Sequence, residues 1–255
     1  SAIGIGTPGA VDGIRGIVWQ NVNFGYTNWQ IKTNLEKLFG NVPVYVENDA
    51  NAAVIAEATA GSAKGKKDVL MITIGTGVGG GVYINGSIYA GSNFAGLEVG
   101  HMVIQRNGRQ CNCGRKGCFE TYASATALVS DTKVAMENNR DSLLWEICPD
   151  IKKVNAKTRF DAYKSGDETA SKVVDEYIAN LAAGIVNLIN IFQPEVLCIG
   201  GGVSNERQFL IDLLMPYITT EDFAKNARER TKIVIAKFRN DAGIIGAAMV
   251  GVKND

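Results

Sequence analysis

The residue types best suited to chemistry in this chain crowd into LEVGHMVIQRNGRQCNCGRKGCFET, residues 97–121. Three of the five cysteines, Cys111, Cys113 and Cys118, follow the single histidine, His101. Zinc takes four tetrahedral ligands from thiolate and imidazole, and Cys₃His is a standard structural set. Gly108, Gly114 and Gly117 let the backbone turn tightly enough for the thiolates to converge. Disulfides fit less well, because Cys111 and Cys113 are poorly placed to pair with each other and three is an odd number. Plain buried thiols fit less well too, because Arg109, Arg115 and Lys116 mark a surface loop. The spacing therefore predicts a zinc site of His101, Cys111, Cys113 and Cys118. With four protein ligands it is closed, which excludes a catalytic zinc hydrolase. Cys148 and Cys198 are isolated and read as packing residues.

Two acids bracket the cluster, Glu98 before His101 and Glu120 after Cys118. An imidazole bound to metal through one nitrogen keeps the other for a ligand or a neighbouring acid. One imidazole and two carboxylates fixed in this way suit the reading of sugar hydroxyls. The alternative for both glutamates is a solvated loop charge.

The elements that must position these groups read as α/β. A strand at Ala2–Gly6 ends in Thr7-Pro8-Gly9, and a second near Ile17–Trp19 runs into a polar loop, NVNFGYTNW. A short helix through Ile31, Leu35 and Leu38 precedes a buried strand at Val42–Val46. Glu47-Asn48-Asp49 then opens an alanine-rich helix. Polar residues there are helix-cap chemistry, yet α/β proteins also present functional side chains at such places. GSAKGKK at 61–67 is the best linker candidate.

Beyond it, VLMITIGTGVGGGVYINGSIYAG carries a strong β signal, with Asn85-Gly86 as a hairpin turn. Gly75-Thr76-Gly77 can cradle a phosphate on its amides or form a plain tight turn. No P-loop or Rossmann fingerprint is present. Helices are expected at Ala123–Met136, near Leu143, at Arg159–Lys164 and at Glu168–Phe192, where Pro194 ends the run. A strand at Glu195–Ile199 enters Gly200-Gly201-Gly202, followed by a helix at Glu206–Tyr217. A strand at Lys232–Ala236 and a helix at Ala242–Val250 close the chain.

Basic and acidic residues balance at 26 each, with a pI of about 6.6. That balance gives no electrostatic footprint for nucleic acid or a membrane surface. The apolar runs are short, so no transmembrane helix is expected. The chain opens SAIGIGTPG, without the charged start and apolar core of a signal peptide. Clustered thiols without a secretory signal favour the cytoplasm.

GTPGAVD at 6–12, ENDANAA at 47–53, TIGTGVGGG at 73–81, EVGH at 98–101, CNCGRKGCFE at 111–120 and IGGGV at 199–203 occur in that order. Together they resemble the ROK family of sugar kinases and repressors, most closely its bacterial glucokinase branch. The resemblance implies an actin-like (ribonuclease H-like) two-lobed α/β fold. Residues 1–60 with 241–255 would form the small lobe and 61–240 the large lobe. It implies Asp49 as catalytic base, with Gly9, Asn48, Asp49, Glu98, His101 and Glu120 around the sugar. Gly75, Thr76, Gly77, Gly201 and Gly202 would meet ATP, accompanied by Mg²⁺. A hexose, most simply glucose, is the implied substrate, and a homodimer the expected assembly. The D-x-G-G-T phosphate loop of such proteins does not occur in the sequence. The small lobe is therefore expected to lack its opening strands, as in a truncated kinase that phosphorylates sugar poorly. The second expectation is the sugar-sensing part of a repressor, without its DNA-binding part.

Overall fold

The structure, a computed structural model, describes residues 2–21, 25–40 and 42–251. Ser1, Val22, Asn23 and Phe24 of the expected polar loop, Asn41, and 252–255 lie outside the described residues.

Strand β1 (Ile3–Thr7) is followed by an antiparallel sheet of β2 (Ala10–Asp12), β3 (Ile17–Asn21) and β4 (Tyr26–Trp29). Helix α1 (Ile31–Leu38) leads to β5 (Val44–Asn48), which pairs in parallel with β1 from Ile3↔Val44 to Thr7↔Asn48. Val11, Val18, Ile31, Val44 and Val46 share one buried cluster. β5 starts two residues later than the sequence suggests. Pro43 has no N–H to donate to a ladder, although its carbonyl accepts from Ile3 at 2.8 Å. The polar loop also needs correcting, because Tyr26–Trp29 is a strand with all four residues exposed. Exposed on both faces, it shows none of the apolar alternation that marks a half-buried strand.

Helix α2 (Asp49–Ala60) leads into β6 (Val69–Ile74), β7 (Val78–Ile84) and the short β8 (Ser87–Ile88). After the cysteine loop come α3 (Glu120–Ala123), α4 (Ala125–Asn138), α5 (Leu144–Ile147), α6 (Ala156–Lys164) and α7 (Glu168–Phe192). β9 (Val196–Gly200), α8 (Gln208–Glu221), β10 (Lys232–Ile235) and α9 (Ala242–Val250) complete the chain. Beside the β1–β5 pair and the three-stranded sheet, a five-stranded sheet has the order β10-β9-β6-β7-β8, parallel across β10, β9 and β6 and antiparallel beyond. Side chains alternate along a strand, so β6 serves two layers. Leu70, Ile72 and Ile74 join Leu181 and Ile185 of α7, while Val69 and Met71 join Ala53 and Val54 of α2. Each such buried leucine, isoleucine, valine or methionine stabilises the fold by about 1.5–3 kcal/mol.

Other boundaries moved for local reasons. Ser124 splits the helix expected at Ala123–Met136, because it is extended and caps α4 by accepting from Ala127 N at 3.0 Å. Arg207, at φ 56°, separates a 3₁₀ turn from α8, which continues through Pro216 to Glu221.

The segment 61–67 is not a free linker. Glu57 on α2 is fully buried, and its carboxylate accepts from Ser62 N at 2.7 Å and Phe238 N at 2.9 Å. Ser62 Oγ donates to Ile235 O, Ala63 is buried, and Lys66 pairs with Glu195. One carboxylate thus fastens both chain passages between the sheets, the one leaving α2 and the one entering α9.

Candidate active site

β5 ends in Glu47 and Asn48, and Asn48 caps α2 by accepting from Ala50 N at 2.9 Å and Asn51 N at 3.1 Å. Its Nδ2 donates to Gly9 O at 3.1 Å. The cap reading and the site reading of Asn48 therefore coexist in one side chain. Asp49 is the first residue of α2, exposed, with Oδ1 accepting from Ala50 N at 2.9 Å. Gly9 has φ 110°, and a Cβ there would strike the Gln20 carbonyl, so the turn requires glycine. Asn21 holds the same turn by donating Nδ2 to Pro8 O at 2.8 Å.

Glu98 and His101 stand around a short 3₁₀ turn, Val99–His101. Glu98 is exposed, and its carboxylate makes no hydrogen bond or ion pair with a described residue. Glu120 opens α3, with Oε2 accepting from Val78 N at 2.9 Å. A Cβ on Gly77 would overlap that carboxylate, so a side chain there would drive Glu120 away.

All six residues expected around a sugar, Gly9, Asn48, Asp49, Glu98, His101 and Glu120, line one cavity of about 620 Å³. Gln20, Asn21, Asn51, Phe94, Leu97 and Asn112 line it as well and carried no sequence signal that marked them out. Phe94 and Leu97 have φ 61° and 66°. Backbone strain of that kind concentrates at functional sites.

The expected nucleotide residues lie outside this lining. Gly75-Thr76-Gly77 is the β6–β7 turn, closed by Gly75 N donating to Gly77 O at 2.9 Å. It is tied to α4 by Ala125 N to Gly75 O and Thr126 Oγ1 to Thr76 O. A Cβ on Gly201 would meet the backbone of Ile74, so the two glycine segments adjoin at the ends of β6 and β9.

The ligand atoms of His101, Cys111, Cys113 and Cys118 lie within 4.8 Å of one another. Cys111 Sγ is 3.7 Å from His101 Nδ1, and Cys113 Sγ is 3.6 Å from Cys118 Sγ. Sulfurs on a tetrahedral zinc at about 2.3 Å are separated by about 3.8 Å, so donor set and spacing fit that ion. Nδ1 faces the thiols, leaving Nε2 as the ring nitrogen not committed to the cluster. Burial and the two neighbouring thiols push the Cys118 thiol up to about 12, whereas the Arg115 amide holds Cys113 below its ordinary value. All five cysteines are free thiols. The loop is closed by Cys111 N to Arg115 O and Gly117 N to Arg109 O, both at 2.8 Å. Arg109 stacks on Tyr122 and pairs with Asp131 at 2.9 Å, anchoring the loop to α3 and α4.

Fold and cleft together define a kinase of the hexokinase and glucokinase type with the actin-like fold. The chain belongs to the ROK family, whose profile matches residues 1–253. It is similar to a glucokinase of Thermotoga maritima, 36% identical over 97% of this chain and 78% of that protein. A ROK family glucokinase from Streptomyces griseus, solved in complex with glucose and AMPPNP, superposes with a TM-score of 0.84. It is 32% identical over 97% of this chain and 80% of that one. A xylose repressor of Caldicellulosiruptor bescii is 30% identical over 97% of this chain and 62% of the repressor.

Proposed function

We propose that this protein transfers the γ-phosphoryl group of ATP to a hexose, converting glucose to glucose 6-phosphate. The observation that carries the reading is the single cavity shared by Gly9, Asn48, Asp49, Glu98, His101 and Glu120. Asp49 is the general base. Its exposed carboxylate, fixed by the start of α2, accepts the 6-hydroxyl proton as that oxygen attacks phosphorus. Asn48, Glu98 and Glu120 accept or donate hydrogen bonds to the other hydroxyls, and Gly9 offers backbone. Phosphoryl transfer is mostly positioning and charge neutralisation, which suits a rigid cleft with one acid at its edge. The GTG turn and Gly201-Gly202 hold the nucleotide, and bound Mg²⁺ would neutralise phosphate charge.

Zn²⁺ held by His101 Nδ1, Cys111, Cys113 and Cys118 has a structural role, fixing the imidazole so that Nε2–H meets the sugar. Residues 1–60 with 241–255 form one lobe and 61–240 the other, in a cytoplasmic homodimer. Coupled-enzyme detection of glucose 6-phosphate tests the reaction, and calorimetric titration with glucose tests the site. A protein that neither binds nor phosphorylates any hexose sinks the proposal. The repressor similarity supports a second reading, a sugar-sensing domain, which binding of sugar without any phosphorylation would favour.

A further inference from the structure

We propose that Asn51, oriented by the buried Glu47, is a further sugar ligand that presents its carbonyl oxygen to a hexose hydroxyl. The inference rests on the hexose-binding reading of the cleft. Asn51 is buried in the first turn of α2 and lines the cavity beside Asn48 and Asp49. Its Nδ2 donates to Glu47 Oε1 at 3.0 Å. The same oxygen accepts the Asn48 amide at 2.9 Å. A backbone N–H can only donate, so Oε1 accepts from Asn48; with the carboxyl ionised, or carrying its proton on Oε2, Oε1 has no hydrogen to give Asn51. Asn51 must therefore offer its NH₂ to Glu47, and its carbonyl oxygen must point elsewhere. That oxygen has no donor among the described residues, yet it is not one of the sealed, unpartnered buried atoms. An acceptor at the wall of a polar cavity, open to it and without an internal partner, is what a hydroxyl donor fits. Glu47, which is 9% exposed, does not line this cavity and acts only through Asn51 and the Asn48 amide. It is a positioning residue.

The test is a binding cycle between variants and a series of monodeoxy glucoses, read by calorimetry with circular dichroism as the fold control. Loss of one neutral hydrogen bond reduces affinity by about 3- to 10-fold. Asn51→Ala is expected to lose that much for glucose and for every analogue except one. For the analogue lacking the contacted hydroxyl, parent and variant should bind equally. A uniform loss across the series, or no loss at all, overturns the role of Asn51. If Asn51→Ala does not fold, Glu47 carries the test. Glu47→Gln keeps an acceptor oxygen and should bind glucose within about twofold of the parent. Glu47→Met removes the acceptor and should lose about 3- to 10-fold. Equal affinities for those two variants overturn the inference. Failure of the parent itself to bind any hexose fails the hexose reading and this inference together, whereas a binding parent isolates the inference.

Discussion

The turn at Asn48–Asn51 and the loop from His101 to Cys118 both contribute to the same cavity but reach their order by different routes. The turn is held by backbone. Asn48 caps α2, Glu47 accepts the Asn48 amide, and β5 is locked to β1 in register. Below it, α2 is buried along most of its length against α9, the β1–β5 pair and the five-stranded sheet. The loop has far less behind it. Within 105–117 only Cys111 and Gly117 are buried, and no helix or strand is formed. Its convergence depends on four ligand atoms agreeing about one point. Asp49, placed by a helix terminus, needs no bound ion to hold it. An imidazole placed by a metal is rigid only while the metal stays.

Metal removal is the sharpest way to break that comparison. Structural zinc sites bind with about 10–16 kcal/mol of apparent affinity, so chelation should lower the melting temperature markedly. Amide hydrogen exchange should then rise across 101–120 while 44–60 stays protected. Equal loss of protection in both regions would show that the loop and the turn are one unit. Next in size, Asp49→Asn should reduce turnover by about 10²–10⁴-fold and leave glucose affinity nearly unchanged, because the amide still meets the hydroxyl. A variant with full turnover removes Asp49 from the base role.

On the loop side, Glu98→Gln and Glu120→Gln should each weaken glucose binding by about 1.5–3 kcal/mol. Glu120→Gln should also weaken ATP, because Val78 beside the GTG turn shares its carboxylate. Superimposable titrations for both variants would return these residues to solvated loop charges. Smaller effects separate the two duties of Asn48. Asn48→Ala should cost about 1 kcal/mol of stability through the lost cap. Asn48→Ser keeps a capping oxygen and should cost a few tenths, yet it should bind glucose as poorly as the alanine variant. Smallest is the pH dependence of Glu47, whose carboxyl burial pushes above its ordinary 4.5. The folded state then holds this proton more tightly than the unfolded state. The resulting stability is present below about pH 4.5 and is lost as pH rises through the folded value. Urea melts between pH 4 and 7 should slope less for Glu47→Gln than for the parent.

How much of this was legible depended on whether the cause was local. The ligand set His101, Cys111, Cys113 and Cys118 could be read from residue type and spacing alone, and its atoms do converge. Asn48 and Asp49 stood where a strand becomes a helix, so their placement followed from chain order. Gln20 and Asn21 could not be found this way. They reach the cleft because β3 turns back against Pro8 and Gly9, a contact set by the pairing of three short strands. Asn51 was hidden inside an alanine-rich run that reads as core. The segment 61–67 read as a linker from composition, but its anchors include Ile235 and Glu195, which no local window contains.

Helix α2 joins the site to the passages between the sheets, with Asp49 at its first residue and Glu57 two turns on. Eight residues of helix span about 12 Å. Mechanically this is a short lever with a pin at one end and the proposed base, Asp49, at the other. A tilt of about 5° about the pin would carry the carboxylate about 1 Å, a displacement at which catalysis can change about 10²-fold. A rotation of a few degrees at Glu57 would therefore be enough to move Asp49, the proposed base, into or out of line.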